Sequence, residues 1–129
     1  MKGKFSRFIF VTTSIMMTIL IFTACANTDI QTPKDIAISY FENAKNGNIK
    51  EFEKMFTDDA KKAVDKYGGM QDLINYVVQD GKLKKYEIKD VKEEKETARV
   101  TVVLTYKDNS SKNTYINLIK EKNQWKIKY

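Results

Sequence analysis

In the stretch TARVTVVLTY, from Thr97 to Tyr106, apolar side chains alternate with mostly polar ones. The side chains on its even positions are Ala98, Val100, Val102, Leu104 and Tyr106. Because successive side chains of a β-strand point to opposite faces of a sheet, this period of two predicts a strand with one buried face. The β-branched residues that dominate the stretch favour the same conformation.

Further strands are predicted on both sides of this stretch. Tyr86, Ile88 and Val91 mark a strand before it, and residues 114–120, with Ile116 and Leu118 inward, and 125–129 form strands after it. The charged run at 92–96 and the polar cluster at 108–111 are typical of the turns between such strands. The second half of the chain is therefore predicted to form three to four antiparallel strands.

Upstream of residue 86 the apolar period changes to that of a helix. Thr32-Pro33-Lys34-Asp35 is typical of a helix start, because Thr can cap the first turn, Pro suits its first position and Asp complements the helix dipole. The apolar face of this first helix is predicted to hold Ile36, Ala37, Tyr40, Phe41 and Ala44, and Gly47 ends it.

Three more helical segments are predicted before the strands. One is short, one follows Thr57, and one covers residues 70–80 and closes at Gly81. Their predicted buried positions are, in order, Ile49, Phe52, Met55 and Phe56; Ala60, Ala63, Val64 and Tyr67; and Met70, Leu73, Ile74, Val77 and Val78. Helices followed by antiparallel strands predict an α+β fold over residues 33–129, with the helices packed on one face of a curved sheet.

The amino terminus has a different composition. Lys2, Lys4 and Arg7 precede fifteen uncharged residues, 8–22. A spanning helix needs about 20 apolar residues, whereas the apolar core of a signal peptide has about 7 to 15. Residues 1–24 are therefore predicted to be a signal peptide, with the small residue Ala24 before the cut.

The sequence Phe22-Thr23-Ala24-Cys25 resembles the lipobox of bacterial lipoproteins, although Phe22 stands where that family most often has Leu. The resemblance implies cleavage between Ala24 and Cys25 by signal peptidase II and a diacylglyceryl group on the Cys25 sulfur. Residues 25–32 would then be a short tether, and the protein would lie on the extracytoplasmic face of the cell membrane. The alternatives are an uncleaved membrane anchor with an incidental Cys, or a secretory peptide cut elsewhere.

The chain of 129 residues contains one Cys and no His, which excludes Ser-His-Asp and Cys-His catalysis and the usual zinc ligand sets. No cofactor or metal site is predicted. Three of the 23 basic residues and none of the 17 acidic ones lie in the predicted leader, so the net charge falls from +6 to +3 on cleavage. This mild excess, with scattered lysines, predicts no nucleic-acid partner.

The order of the elements resembles the nuclear-transport-factor-2-like (NTF2-like, cystatin-like) cone fold, and in particular small bacterial lipoproteins of unknown function described as lumazine-binding-like. The resemblance covers residues 32–129. It depends on Thr32-Pro33, Tyr40-Phe41, Asn46-Gly47-Asn48, Phe52 and Trp125-Lys126-Ile127. A cone fold implies a cavity between the concave sheet face and the helices, mostly apolar and with a few polar groups.

The polar-tipped side chains predicted to point into that cavity are Tyr40, Tyr76, Tyr86, Tyr106 and Asn117. The alternative is that the tyrosines are core residues whose hydroxyls reach the rim. Enzymes of this fold that resemble ketosteroid isomerase or polyketide cyclases use an inward Asp or His as base. Since there is no His and the strand carboxylates fall on outward or turn positions, no catalytic residue is predicted.

The predicted function is accordingly a lipid-anchored binding or accessory domain, not an enzyme. It would hold a small apolar ligand or dock to a membrane or cell-wall partner. One alternative is a cone-fold enzyme of isomerase or cyclase type with an Asp or Glu base. Another is a structural role, in which the cavity is filled and the outward row of Thr101, Val103 and Thr105 binds protein.

Overall fold

The computed structural model describes residues 31–129, and the first helix begins where the sequence predicts. Thr32 Oγ1 accepts a hydrogen bond from the Asp35 backbone N–H at 3.2 Å, and the Asp35 carboxylate accepts one from the Thr32 N–H at 3.0 Å. These bonds lower the pKa of the Asp35 carboxyl. Helix α1 runs over Pro33–Asn46, and Gly47 ends it in the left-handed conformation with φ 68°.

Three shorter helices follow, α2 over Ile49–Glu53, α3 over Asp58–Asp65 and α4 over Met70–Val78. Thr57 caps α3, because its hydroxyl accepts a hydrogen bond from the Ala60 N–H at 3.1 Å. Gly68 and Gly69 reverse the chain between α3 and α4 with φ of 111° and 90°. A Cβ atom at Gly68 would also overlap the Asp72 carboxylate, so this turn requires glycine.

The second half of the chain forms one antiparallel sheet with its strands in sequence order. The strands are β1 over Leu83–Glu93, β2 over Thr97–Tyr106, β3 over Ser111–Glu121 and β4 over Gln124–Ile127. Val91 of β1 and Ile116 of β3 lie opposite Val100 of β2. The first hairpin turn is shorter than the predicted 92–96, because Glu93 still pairs with Ala98.

The core lies between the helices and one face of this sheet, which confirms the predicted α+β arrangement. The alternating side chains of β2 are all buried on that face, and Trp125 is 4% exposed. Under α1 and α2 the rings pack closely, with centroids 4.9–5.1 Å apart. We call these four side chains the aromatic cluster: Tyr40, Phe41, Phe52 and Phe56. Thr101, Val103 and Thr105 lie half-buried on the opposite sheet face.

Two side chains predicted to be buried are not. Ile49 is 37% exposed, because α2 is a little over one turn long and buries only Phe52. Tyr67 is 86% exposed, because α3 ends at Asp65 and the chain is already turning towards the glycine pair. The predicted helical period therefore extends too far at both places.

Within residues 31–129 no helix is long and apolar enough to cross a membrane. The predicted signal peptide, the cleavage site between Ala24 and Cys25, and the tether up to residue 30 lie outside the described residues.

Candidate functional site

An apolar depression, which we call the outer groove, lies between α3 and α4. Its volume is about 390 Å³, which falls in the range of small-molecule sites. The turn at Gly68 and Gly69 joins the two helices at one end. The residues that line it are Ala63, Val64, Tyr67, Gly69, Asp72, Leu73, Tyr76 and Tyr129.

A second space, the inner cavity, lies between α1, α4 and the concave face of the sheet. It is smaller, about 160 Å³, and more enclosed. Helix α1 contributes Tyr40, α4 contributes Val77, and the sheet contributes Leu104, Tyr106 and Ile116. A cavity at this place is what the cone-fold resemblance implies.

The two spaces share part of their walls, because Leu73, Tyr76 and Tyr129 line both. Leu73 is half-buried, whereas Tyr76 and Tyr129 are 66% and 68% exposed. The two tyrosines therefore stand at the boundary, with their rings towards both spaces and much of their surface in solvent. A ligand that displaced these rings could extend from the outer groove into the inner cavity.

Lys112 lies at the edge of the inner cavity and is the one charged side chain in its lining. Its ammonium donates a hydrogen bond to the Tyr76 hydroxyl at 3.4 Å and lies 5.5 Å from the centroid of the Tyr76 ring. An ammonium over an aromatic face is attracted by the electron-rich ring. Lys112 therefore holds Tyr76 by its hydroxyl and its ring together.

Tyr40 is one of two buried tyrosines in the lining of the inner cavity. Tyr40 is 8% exposed and packs against Phe52 and Phe56 of the aromatic cluster. Burial raises the pKa of Tyr40 well above its ordinary value, and the neighbouring Tyr129 acts in the same direction. The hydroxyl therefore stays protonated at physiological pH and can both donate and accept a hydrogen bond.

Three of the five predicted pocket residues come together in the structure. Tyr40, Tyr76 and Tyr106 all line the inner cavity. Tyr40 and Tyr106 are buried, whereas Tyr76 stands at the mouth and not inside. Of the predicted cavity tyrosines, Tyr40 and Tyr106 are thus core residues, and Tyr76 forms part of the rim.

Tyr86 does not line either space. Its ring stacks on Phe41 at 4.9 Å between centroids, and its hydroxyl donates a hydrogen bond to the Glu42 carboxylate. Burial and this hydrogen bond raise the pKa of Tyr86 to about 12. The bulge in β1 and the proximity of α1 place Tyr86 against the helix, so it stabilises the packing of α1 on the sheet.

Asn117 lies on the opposite face of the sheet, where its amide oxygen accepts a hydrogen bond from Arg99 Nε at 2.8 Å. Ile116 and Leu118 are buried on the core face, so the strand period turns the residue between them away from it. The prediction that Asn117 points into the cavity is wrong for this reason.

Sequence reasoning missed Tyr129 and Lys112 as residues of the site. Both could have been found from the strand period. Tyr129 continues the inward series of Trp125 and Ile127, and Lys112 lies on the same parity as Ile116. Near the ends of the strands the inward face extends beyond the packed core, and the side chains there line the cavity.

The site offers no buried carboxylate. Every Asp and Glu in residues 31–129 is exposed, and Asp72 reaches only the rim of the outer groove. In the same residues no three acidic side chains come close enough to hold a metal ion. Asp58 and Asp59 occupy the first turn of α3, where their carboxylates complement the helix dipole.

The comparison with protein families identifies the chain. A family model described as a domain of unknown function, DUF4878, matches residues 23–128. The chain belongs to this family. None of the curated proteins is similar enough to the DUF4878 chain to count as a relative.

Solved structures support the fold of the DUF4878 chain. A suggested NTF2-like transpeptidase from Campylobacter jejuni has 17% identity over 75% of this chain and 97% of its own, with a TM-score of 0.58. A SEC-C motif containing protein from Rhodopseudomonas palustris has 8% identity over 76% of both chains, with a TM-score of 0.58. An NTF2-like protein of unknown function from Cytophaga hutchinsonii has 15% identity over 77% and 87%, with a TM-score of 0.47. The Campylobacter jejuni structure supports an NTF2-like fold, and at 17% identity the likeness concerns the fold alone.

Proposed function

We propose that this DUF4878 protein is a lipid-anchored, extracytoplasmic binding domain that holds a small apolar ligand and carries out no catalysis. The observation that carries the proposal is the outer groove. Its walls are apolar, its volume of about 390 Å³ suits a small molecule, and it adjoins the inner cavity.

The exposure of the groove tyrosines supports a binding role. Tyr67, Tyr76 and Tyr129 are 66–86% exposed, although they surround a largely apolar surface. Leaving apolar surface in water costs about 25 cal/mol per Å², and exposed apolar patches commonly mark binding sites. A ligand in the groove would cover this surface.

The position of the carboxylates argues against the enzyme alternative. A general base in an isomerase or cyclase must be partly desolvated if its pKa is to approach neutrality. Asp72 is the one carboxylate in the lining of the two spaces, and it is exposed. A cone-fold enzyme that used either space would have to use Asp72, which lacks the desolvation that such a base needs.

The proposed anchor is a diacylglyceryl group on Cys25. Each buried methylene contributes about 0.8 kcal/mol, and a group with two chains holds a protein firmly where one does so only marginally. The seven residues 26–32 can extend over at most about 25 Å before the helix that starts at Pro33. The domain would therefore stay close to the membrane, where a membrane or cell-wall protein is the alternative partner.

Filling the groove tests the binding proposal. We expect Ala63→Leu, in the full-length protein in phosphatidylcholine nanodiscs, to reduce photo-crosslinking of a diazirine-tagged decanol at least about tenfold, because the added methyl groups occupy the site. Lys62→Leu is the matched control, since it adds the same side chain to an exposed position of α3. Equal labelling of the two variants, or no saturable labelling of the wild type, would contradict the proposal.

Removing the thiol tests the anchor. We expect Cys25→Ser to abolish labelling of the protein by radioactive palmitate in growing cells and to leave the precursor uncleaved, because only a thiol accepts the diacylglyceryl group. Thr28→Ser, three residues downstream, should label and mature normally. Full palmitate labelling of Cys25→Ser would overturn this part of the proposal.

A further inference from the structure

We infer that the ligand is an amphiphile with one anionic head group, whose apolar body lies in the outer groove and whose head lies beside Lys112 at the mouth of the inner cavity. The inference rests on the proposed function, which it narrows from apolar ligands in general to this chemical class. It depends on the distribution of charge along the two adjoining spaces.

The charge at the inner end is positive. Lys112 lines the inner cavity, and it makes no salt bridge with any residue between 31 and 129. Its one hydrogen bond goes to the Tyr76 hydroxyl at 3.4 Å. An ammonium has three donors, so Lys112 can bind an anionic oxygen and keep its contact with Tyr76.

The charge at the outer end is negative. Asp72 lies on α4 one turn before Tyr76 and lines the outer groove but not the inner cavity. The Asp72 carboxylate would repel an anionic head from the groove, and Lys112 would attract it to the cavity mouth. The two charges therefore select one orientation, with Tyr76 between the head and the body of the ligand.

The uncharged polar groups of the cavity also suit an anionic head. Tyr40, Tyr106, Thr114 and Gln79, whose side chains carry hydroxyls or an amide, line the same small space. Each can donate a hydrogen bond, and hydrogen bonds to a charged acceptor are about twice as strong as neutral ones. The outer groove, by contrast, offers its ligand mainly methyl groups and aromatic rings.

The test compares an anionic with a neutral amphiphile of the same length on the full-length protein. The probes are diazirine-tagged decanoate and diazirine-tagged decanol, applied to the protein in phosphatidylcholine nanodiscs, with labelled residues located by mass spectrometry. We expect Lys112→Met to weaken the apparent affinity for decanoate about fivefold and to change that for decanol less than twofold. Lys107→Met, an exposed lysine in the β2–β3 turn that lines neither space, is the control and should change neither.

The outcomes separate this inference from the proposed function. If decanol and decanoate both label the groove but Lys112→Met affects them equally, the anionic head is wrong and the apolar site stands. If neither probe labels the groove, the proposed function itself fails. Because Asp72→Asn removes the repelling carboxylate, we expect it to strengthen labelling by decanoate and to leave labelling by decanol unchanged.

The same experiment distinguishes two sources of the ligand. Anionic phosphatidylglycerol in the nanodiscs competes with decanoate if the natural ligand is a lipid taken from the bilayer. If free anionic amphiphiles are the ligands, phosphatidylglycerol leaves decanoate labelling unchanged. Either result supports an anionic amphiphile, provided that labelling depends on Lys112; competition that survives Lys112→Met unchanged would overturn the inference.

Discussion

The aromatic cluster and the outer groove contain similar side chains in opposite states. Phe41, Phe52 and Phe56 in the cluster are 0–2% exposed, whereas Tyr67 and Tyr76 at the groove are 86% and 66% exposed. Both regions lie on the helical side of the same sheet and both are rich in aromatic residues. The type of residue therefore does not explain the difference in exposure. The difference comes from how the helices meet.

In the aromatic cluster, α1 and α2 converge on the sheet and the rings fill the space between them. Tyr40 contacts Phe41 edge to face at 5.0 Å, and this geometry is favoured by the charge distribution of aromatic rings. At the groove, Gly68 and Gly69 reverse the chain between α3 and α4, and an apolar space of about 390 Å³ is left beside these helices. The lesson is that aromatic side chains stabilise the fold where they fill the space between helices and stay exposed where a space is left beside them.

The largest effect is expected in the aromatic cluster. Phe52→Ala should lower the free energy of unfolding by about 3–5 kcal/mol, because Phe52 is fully buried and its removal leaves a cavity. Tyr67→Ala at the groove should change it by less than about 0.5 kcal/mol. Urea unfolding followed by the fluorescence of Trp125, the one Trp of the chain, measures both.

This pair of variants can break the comparison. A loss of more than 2 kcal/mol for Tyr67→Ala, which is about the level of a core substitution, would mean that Tyr67 packs as a core residue and that the outer groove is closed in solution. A small loss for Phe52→Ala would mean that the cluster is loosely packed.

A smaller effect concerns Tyr40, which belongs to the cluster and to the inner cavity at once. Burial raises the pKa of Tyr40 in the folded state well above its value in the unfolded chain, so the folded state holds the proton more tightly. The stabilisation is complete below about pH 10, the pKa of an unfolded tyrosine, and is lost as the pH rises above it. Tyr40→Phe cannot ionise there, so its free energy of unfolding should fall less between pH 8 and pH 11.

Tyr86 provides the internal control for this measurement. The pKa of Tyr86 is raised to about 12, so Tyr86 also lowers the free energy of unfolding as the pH rises. This contribution remains in Tyr40→Phe. Identical pH profiles for the wild type and Tyr40→Phe would show that the Tyr40 hydroxyl is hydrated, and Tyr40 would then not count as a buried member of the aromatic cluster.

Much of the fold follows from local sequence patterns. The Thr32 cap, the left-handed Gly47 and the strict alternation from Ala98 to Tyr106 each specify structure within a few residues. The patterns fail where an element is short. Ile49 and Tyr67 lie at the margins of helices, where a helical period no longer determines which side chains are buried.

The site was less predictable, because it depends on contacts between distant segments. Tyr40 and Tyr106 could be predicted from their inward positions, but the exposure of Tyr76 depends on how α4 lies over the sheet. The outer groove itself results from the reversal at Gly68 and Gly69, which the sequence indicates only as a break between helices. Asn117 was misplaced although the strand period predicts its true face.

The two edge strands of the sheet, which form its margins, are protected against aggregation. At one margin, Ile127 of β4 exchanges hydrogen bonds with the segment Met55–Thr57, since its N–H donates to Met55 at 2.7 Å and its carbonyl accepts from Thr57 at 2.9 Å. At the other margin, β1 shows two register shifts and carries lysines along its length. Covered, irregular or charged edges resist strand-to-strand aggregation. If the protein is lipid-anchored as proposed, these margins would keep neighbouring copies on one bilayer from forming intermolecular sheets.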